Sequence, residues 1–352
     1  MRYLSVCSGI EAATVAWEPL GWQALAFSEI DPFPSAVLAH RFPDVPNWGD
    51  MNRFEEWPDA TVDVLCGGTP CQSFSRAGLR AGLDDPRGNL MLVFGAIARR
   101  YRPRWLVWEN VPGCLSTNGG RDFGSFLAML AGCGYGFAYR VLDAQHVRTR
   151  RHPRGLPQRR RRVFVVGHRG DWRSAAAVLL ERESGRRNPA PPVCKGGISW
   201  WNGDAVSQTL DAVLHKGQMM PEKNRFPVLA LGERLCSAPT AMRKGTAPAV
   251  APTTASVIAL DRLRMSGMST VSAETERCGR AVLRRLTVTE AERLMGLPDN
   301  HTLIPWRGKP ASECPDSPRF KAIGNSMAVN CMEVLGERIN YMNTLIGGVE
   351  KM

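Results

Sequence analysis

Gly67-Gly68-Thr69-Pro70-Cys71-Gln72-Ser73-Phe74-Ser75 follows the apolar run Val62-Asp63-Val64-Leu65-Cys66. The run reads as a buried parallel strand, and the paired glycines end it. A strand that stops at Gly67-Gly68 and turns through Pro70 sets Cys71 at the carboxyl edge of a sheet. In open α/β sheets that edge is where ligands bind. A thiol there is placed like a nucleophile. It is equally the small buried hydrophobe that a cysteine often is. The neighbouring elements decide between the two.

Upstream, residues 3–7 predict a short strand, followed by the turn Ser8-Gly9-Ile10-Glu11 and a helical run through Trp17. Strand, small-residue turn and helix form the first unit of a nucleotide-binding α/β fold. Gly9 lets the backbone approach a ligand, and the helix start offers unpaired N–H groups. The dinucleotide pattern Gly-x-Gly-x-x-Gly is missing, because only one glycine is present. A second strand over 22–28 ends at Glu29-Ile30-Asp31. An acid at this tip, about 20 residues after the glycine turn, suits a ribose diol, and one of the two acids suits a helix cap instead. A helix over 34–42 follows, and Asp50, in the turn Asn47-Trp48-Gly49-Asp50-Met51, can accept from an adenine amino group.

Downstream, residues 78–88 are rich in Gly, Asp and Arg without periodicity, which predicts a mobile loop. Residues 89–101 read as an amphipathic helix, and Arg104-Trp105-Leu106-Val107-Trp108 as a buried strand ending at Glu109-Asn110-Val111-Pro112. Parallel strands deliver their ends to one side, so Glu109 can face Cys71 across a cleft; its other reading is a helix N-cap. A helix over 123–133 and a strand over 136–142 precede an arginine-dense run, 146–162, around Gly155-Leu156-Pro157-Gln158. The strand over 163–167 closes this half. From about 171 to 282 the periodicity fades into Pro, Ser, Thr, Gly and Met, fitting a linker or a small loop-rich domain. Thr287 with Glu290 reads as a capping box for a helix reaching Met295 and stopping at Gly296-Leu297-Pro298. The stretch 319–327 leads into a last helix reaching Ile339, and no internal repeat is visible.

The 352 residues carry a net charge of +12 and a pI of about 9.5, mostly through arginine. That balance points to a polyanion such as nucleic acid, since arginine forks onto phosphates and guanine edges. Ten cysteines without a Cys-x-x-Cys pair read as thiols in a reducing compartment, with no structural metal. The first strand begins almost at once, without a signal peptide, and no apolar run is long enough to cross a membrane, so a cytoplasmic protein is expected.

Pro70-Cys71-Gln72, Glu109-Asn110-Val111, Gln158 with Arg160 and Arg162, and Gly324-Asn325-Ser326 occur in this order. Together they resemble the DNA (cytosine-5)-methyltransferase family, over residues 1–170 and about 284–340. The resemblance implies a Rossmann-like α/β methyltransferase sheet with helices on both faces, plus a smaller loop-rich target-recognition domain. The expected division is 1–170 and 284–352 for the catalytic domain, with 171–283 as the recognition domain. It implies S-adenosylmethionine as cofactor, double-stranded DNA as partner, no membrane, and a monomer.

By the same resemblance Cys71 is the nucleophile and Glu109 the acid at cytosine N3 and its amino group. Arg162 holds cytosine O2, with Arg160 positioning the loop or backbone. The Thr69 carbonyl meets the exocyclic amine, and Ser75, Arg87 and Gln158 approach DNA. Glu29 binds the cofactor's ribose, Asp50 its adenine, and Ser8, Gly9 and Ile10 its methionine part. Pro70, Leu90, Asn325 and Ser326 complete the cofactor pocket. The chain departs from the family at Ser5 and Cys7, where an acid and an aromatic are common, at Glu11-Ala12 in place of a glycine pair, and at Ile30 in place of an aromatic. A tRNA cytosine methyltransferase, a nicotinamide-dependent oxidoreductase and a non-catalytic DNA-binding protein are the competing readings. The long basic middle segment favours DNA over tRNA, and the missing glycine pattern argues against nicotinamide.

Overall fold

The computed structural model describes residues 1–70, 90–180, 228–231 and 282–349. Its centre is a six-stranded sheet made of β1 (Arg2–Val6), β2 (Gln23–Ser28), β3 (Val64–Gly67), β4 (Trp105–Asn110), β5 (Tyr135–Asp143) and β6 (Arg161–Arg169), in the order β2-β1-β3-β4-β6-β5. The first four strands are parallel, whereas β6 runs antiparallel to both β4 and β5. The chain order reverses at β1, so the ends of β1, β2 and β3 open onto one crevice, the switch point of an open α/β sheet.

Strands buried on both faces need cover on both sides, and the helices supply it. One layer holds α1 (Ala12–Trp17), α2 (Pro32–Arg41), α5 (Trp172–Leu179), α6 (Val288–Met295), α7 (Asp316–Asn325) and α8 (Val329–Val349). There Trp17, Val107, Phe164, Val178, Leu294 and Met332 share a core. The opposite layer holds α3 (Leu90–Tyr101) and α4 (Arg121–Gly132), with Phe94 and Phe126 packed against Trp108 and Val165. Residues near both chain ends therefore build one body: Trp17 Nε1 donates to the Met332 carbonyl at 2.8 Å, and Trp105 Nε1 to Asn343 Oδ1 at 2.9 Å.

Four elements differ from the sequence reading. Helix α3 is not amphipathic: Met91 through Ala98 are all buried, because the helix is enclosed by α4 and the sheet. Helix α5 occurs where no regular structure was expected, N-capped by Asp171 and laid against β5, β6 and α8, so the sheet's cover extends beyond residue 170. The stretch 319–327 is itself largely helix, and the last helix runs past Ile339 to Val349. Of the middle segment, beyond α5, only the antiparallel pair β7 (Val228–Leu231) and β8 (Val282–Arg285) is described. Among the described residues no helix is long and apolar enough to cross a membrane.

The capping box at Thr287 and Glu290 forms as expected, and the same helix carries a buried acid, Glu292. Its oxygens accept from Asn300 N, Thr302 N and Thr302 Oγ1, and Arg319 Nη2 lies 3.6 Å away. Glu292→Ala leaves a buried guanidinium and two backbone donors without their anion. We expect a loss of about 3–5 kcal/mol, measured by urea unfolding, because breaking one side of a buried pair strands the other.

Candidate active site

The end of β1 makes a tight turn in which Cys7, Gly9 and Glu11 all have positive φ (49°, 57° and 61°). A left-handed backbone costs roughly 1–2 kcal/mol at a non-glycine residue, so the turn needs fixing from outside. Glu11 fixes it from below. Its buried carboxylate accepts from Ser5 Oγ, from Thr14 N at 3.0 Å and from Thr14 Oγ1 at 2.5 Å, and Tyr3 Oη bonds Thr14 in turn. Burial pushes the Glu11 carboxyl up, so it carries its proton more readily than an exposed glutamate. His301 holds the turn from the side: its Nε2 donates to the Ile10 carbonyl at 2.7 Å, and burial together with the charge of Arg41 keeps the ring neutral. Arg41 donates to the carbonyls of Asn300, His301 and Leu303, locking the segment that carries His301.

Of the two acids at this tip, Asp31 takes the helix-cap role, while Glu29 ties the β1 turn to the end of β2. Glu29 Oε2 accepts from Gly9 N at 2.8 Å, and Oε1 from Ile30 N and Asp31 N. Asp31 caps α2 through Phe33 N and pairs with Lys321 Nζ at 2.6 Å. Asp50 caps a short 3₁₀ helix through Asn52 N. Cys7 stands near both Glu29 and Asp50: its thiol is pushed up to about 12, first by burial and then by these carboxylates. Ser8 and Gly9 are half-buried, Ile10 is fully buried, and Ile30 is 69% exposed beside them. A Cβ at Gly9 would meet nothing within 4 Å, so the turn faces open space.

The second half of the site lies at the ends of β3 and β4. Thr69 is buried, its Oγ1 accepting from Trp108 Nε1 at 2.9 Å and its carbonyl from Asn110 Nδ2 at 2.8 Å. The carbonyl expected to meet a base therefore already has one partner, with a second lone pair left. Glu109 Oε1 lies 3.2 Å from Arg162 Nε, both side chains largely buried. A Cβ added at Gly68 would come within 3.2 Å of both Glu109 Oε2 and Met327 Cε, so the glycine lets the carboxylate lie close against this turn, three residues before Cys71 in sequence. Burial raises the Glu109 carboxyl above its ordinary range, and Arg160 and Arg162 only partly counter it. Arg160 is buried, its Nη2 donating to the carbonyls of Gly324 and Ser326 at 3.1 and 2.6 Å.

One pattern thus joins an acid whose carboxyl burial raises, two arginines and an open glycine turn along one sheet edge. The C-5 cytosine-specific DNA methylase profile matches residues 1–341. The chain belongs to that family. Among this chain's relatives, an Escherichia phage P1 protein named DNA N-6-adenine-methyltransferase is 36% identical, covering 96% of this chain and 61% of its own length. The type II methyltransferase M.MspI of Moraxella sp is 26% identical over 96% of this chain and 70% of its own. A crystal structure of a Spodoptera frugiperda DNMT2 mutant shares the fold, with a TM-score of 0.57, 15% identity, and coverage of 96% of this chain and 99% of that one. The chain thus spans about three-fifths of the phage relative's length.

Within the structure the expected residues fare unequally. Glu109, Arg160 and Arg162 come together, as do Ser8, Gly9, Ile10 and Glu29, with Asp50 near Cys7. Pro70 is exposed, Leu90 opens α3 half-buried, and Asn325 is exposed while Ser326 is buried. Gln158 is a correction. It is fully buried, its Nε2 donating to the Leu294 carbonyl at 3.0 Å, so it fastens α6 instead of reaching DNA. Cys71, Ser75, Arg87 and the expected loop 78–88 lie outside the described residues. Sequence reading missed His301, Asn110 and the cap role of Glu11. His301 and Asn110 act through partners distant in sequence, with the Trp-Glu-Asn strand end as the one available signal, for Asn110; the Glu11 cap is local, reaching Thr14 three residues on.

Proposed function

We propose that this chain transfers a methyl group from S-adenosylmethionine to carbon 5 of a cytosine flipped out of a specific duplex DNA sequence, through a covalent bond between Cys71 Sγ and C6. The observation that carries the reading is Glu109: a carboxyl raised by burial, paired with Arg162, against the glycine turn that leads to Cys71. Carbon 5 of cytosine is too weak a nucleophile to take a methyl group unaided. A thiolate adding at C6 forms a C–S bond and moves the C5–C6 π electrons onto C5, splitting one hard step into easier ones. Glu109 supplies the proton or hydrogen bond at N3 that neutralises charge pushed into the ring, and Arg162 holds O2. Methylation at C5, loss of the C5 proton to a base and breakage of the C–S bond then restore the aromatic ring. Flipping costs a few kcal/mol and brings the base to this edge.

The crevice at the β1 turn fits the cofactor. Gly9 faces open space, Glu29 is aimed along the turn, and Ile30 presents an apolar surface at its rim. Bound there, S-adenosylmethionine supplies a sulfonium methyl. Ser8, Gly9 and Ile10 would hold its methionine part and Glu29 its ribose; Asp50, Pro70, Leu90, Asn325 and Ser326 would complete the pocket. Asp50 has one carboxylate oxygen on Asn52 and a second to offer.

Adenine N6 methylation, the activity in the phage relative's name, is the weaker reading. An exocyclic amine attacks a sulfonium methyl without a thiol at C6 or an acid at N3, so Pro70-Cys71-Gln72 and Glu109 would have no task. The test is methyl transfer from labelled S-adenosylmethionine to duplex DNA and to tRNA, with bisulfite sequencing of DNA from expressing cells. We expect 5-methylcytosine in one short sequence context of DNA. Labelled N6-methyladenine or tRNA alone would overturn the proposal.

A further inference from the structure

Arg160 ends a long loop, residues 144–160, that forms neither helix nor strand, and Arg162 follows it as the second residue of β6, opposite Leu142 of β5. It is also a poor candidate to fold alone. Arg148, Arg150, Arg151, Arg154, Arg159 and Arg161 are all exposed, and like charges this dense repel one another. What fastens the loop lies on α8. Glu333 is 3% exposed, and its Oε2 accepts from Thr149 Oγ1 at 2.6 Å and from His152 Nδ1 at 2.9 Å. Its Oε1 stands 2.7 Å from Arg151 Nε. Three residues earlier on the same helix, Asn330 Nδ2 donates to the carbonyls of Ala144 and Val147 at 2.7 and 2.8 Å.

From this anchor a continuous ladder runs to the catalytic strand. Gly155 N donates to His152 O, Leu156 N to Ala144 O and Ala144 N to Arg160 O, each within 3.1 Å, and Arg160 N donates to Asp143 Oδ1 at 3.0 Å. Two residues further, Arg162 meets Glu109. Burial alone would raise the Glu333 carboxyl, but hydrogen bonds from His152 and Thr149, with the charges of His152 and Arg151, outweigh it and hold the group below the ordinary carboxylate range. Glu333 is therefore an anion at neutral pH, set where a cationic loop needs one.

We propose that Glu333 is a positioning residue for the base pocket: it binds the Thr149–His152 turn and so fixes the arginine loop in the one shape that brings Arg162 to Glu109. The inference rests on the reading of Arg162 as a contact of the target base. Its hydrogen-bond and ion-pair partners are Thr149, Arg151 and His152, all in the loop; its charge also reaches Glu337 on the same helix, and Arg151 donates in turn to the Val15 carbonyl of α1.

The experiment is a double-mutant cycle of Glu333→Gln with Arg162→Ala. Turnover is expressed per active site, counted by adduct formation with 5-fluorocytosine DNA; Glu333→Asp is the conservative control. Gln keeps the shape and removes the charge, so the protein is expected to fold even if Glu333→Ala does not. We expect kcat per active site to fall roughly 10- to 100-fold in Glu333→Gln, the scale of a small misplacement of a catalytic group. S-adenosylmethionine affinity should hold within twofold, since the cofactor turn is fastened elsewhere. In the Arg162→Ala background the same change should add less than about twofold, because both act on one contact. Glu333→Asp should recover part of the loss. A lower melting temperature or smaller active fraction with full kcat per site would make Glu333 merely structural and overturn the proposal, as would independent multiplication of the two effects. If Arg162→Ala alone leaves kcat unchanged, the reading of Arg162 has failed, and the Glu333 result no longer bears on the base pocket.

Discussion

Cys71→Ser protein is expected to bind duplex DNA as tightly as the unchanged chain and to transfer no methyl groups, a loss on the order of 10⁴-fold or more. A serine hydroxyl is almost never ionised at neutral pH, whereas a free thiol with a pKa of ~8.5 is already a few per cent thiolate. The described thiols form the contrast. Cys66, five residues earlier, lies in the core with its thiol raised well above its ordinary value by burial, and Cys331 is likewise raised by burial. Neither is fit to attack a base. The check is DNA containing 5-fluorocytosine at the target. Fluorine cannot leave C5 as a proton does, so the reaction halts at the covalent stage and a cofactor-dependent adduct accumulates on the unchanged chain. Cys71→Ser should give none. An adduct on the serine protein, or full turnover by it, would end the covalent mechanism.

That this prediction could be framed before any coordinates reflects which features local sequence carries. The strands β1 to β4 are short apolar runs that stop at glycine or at polar tips, so Gly67, Glu29 and Glu109 were legible as the carboxyl edge of one sheet. The box at Thr287 was legible because its two partners sit three residues apart. Helix α5 was not, because it is only eight residues long and borders a segment whose periodicity fades, although Ala175, Val178 and Leu179 form its buried face behind the Asp171 cap. Helix α3 misled for the opposite reason: its environment, closed on all sides, is set by α4 and the sheet, not by its own period. The burial of Gln158 and the grip of His301 on Ile10 depend on partners more than a hundred residues away. No periodicity encodes such pairs. The polar frame around the site was therefore invisible while the reacting groups were not.

Glu109→Gln is expected to lower kcat by about 10²–10⁴-fold, the usual contribution of a positioned general acid. Cofactor and DNA affinity should change far less. The direction of the pH dependence follows from what holds the carboxyl. Burial favours its neutral form and outweighs Arg160 and Arg162, so the group is raised and its protonated fraction persists into a range where an exposed glutamate has none. If the protonated form donates to N3, kcat is high below this raised pKa and falls as pH climbs through it. In Glu109→Gln that descending limb should vanish, because an amide can hydrogen-bond N3 but has no proton to give. Stability moves with the same sign. The folded state keeps a proton that the unfolded chain has released, so between the two pKa values stability falls as pH rises. Above both, the ionised Glu109 is a standing cost that glutamine lacks, and Glu109→Gln should be at least as resistant to urea as the unchanged chain at alkaline pH. Lost turnover with undiminished stability marks a group kept for chemistry at the expense of the fold. A variant that lost both together would make Glu109 a structural partner of Arg162 instead.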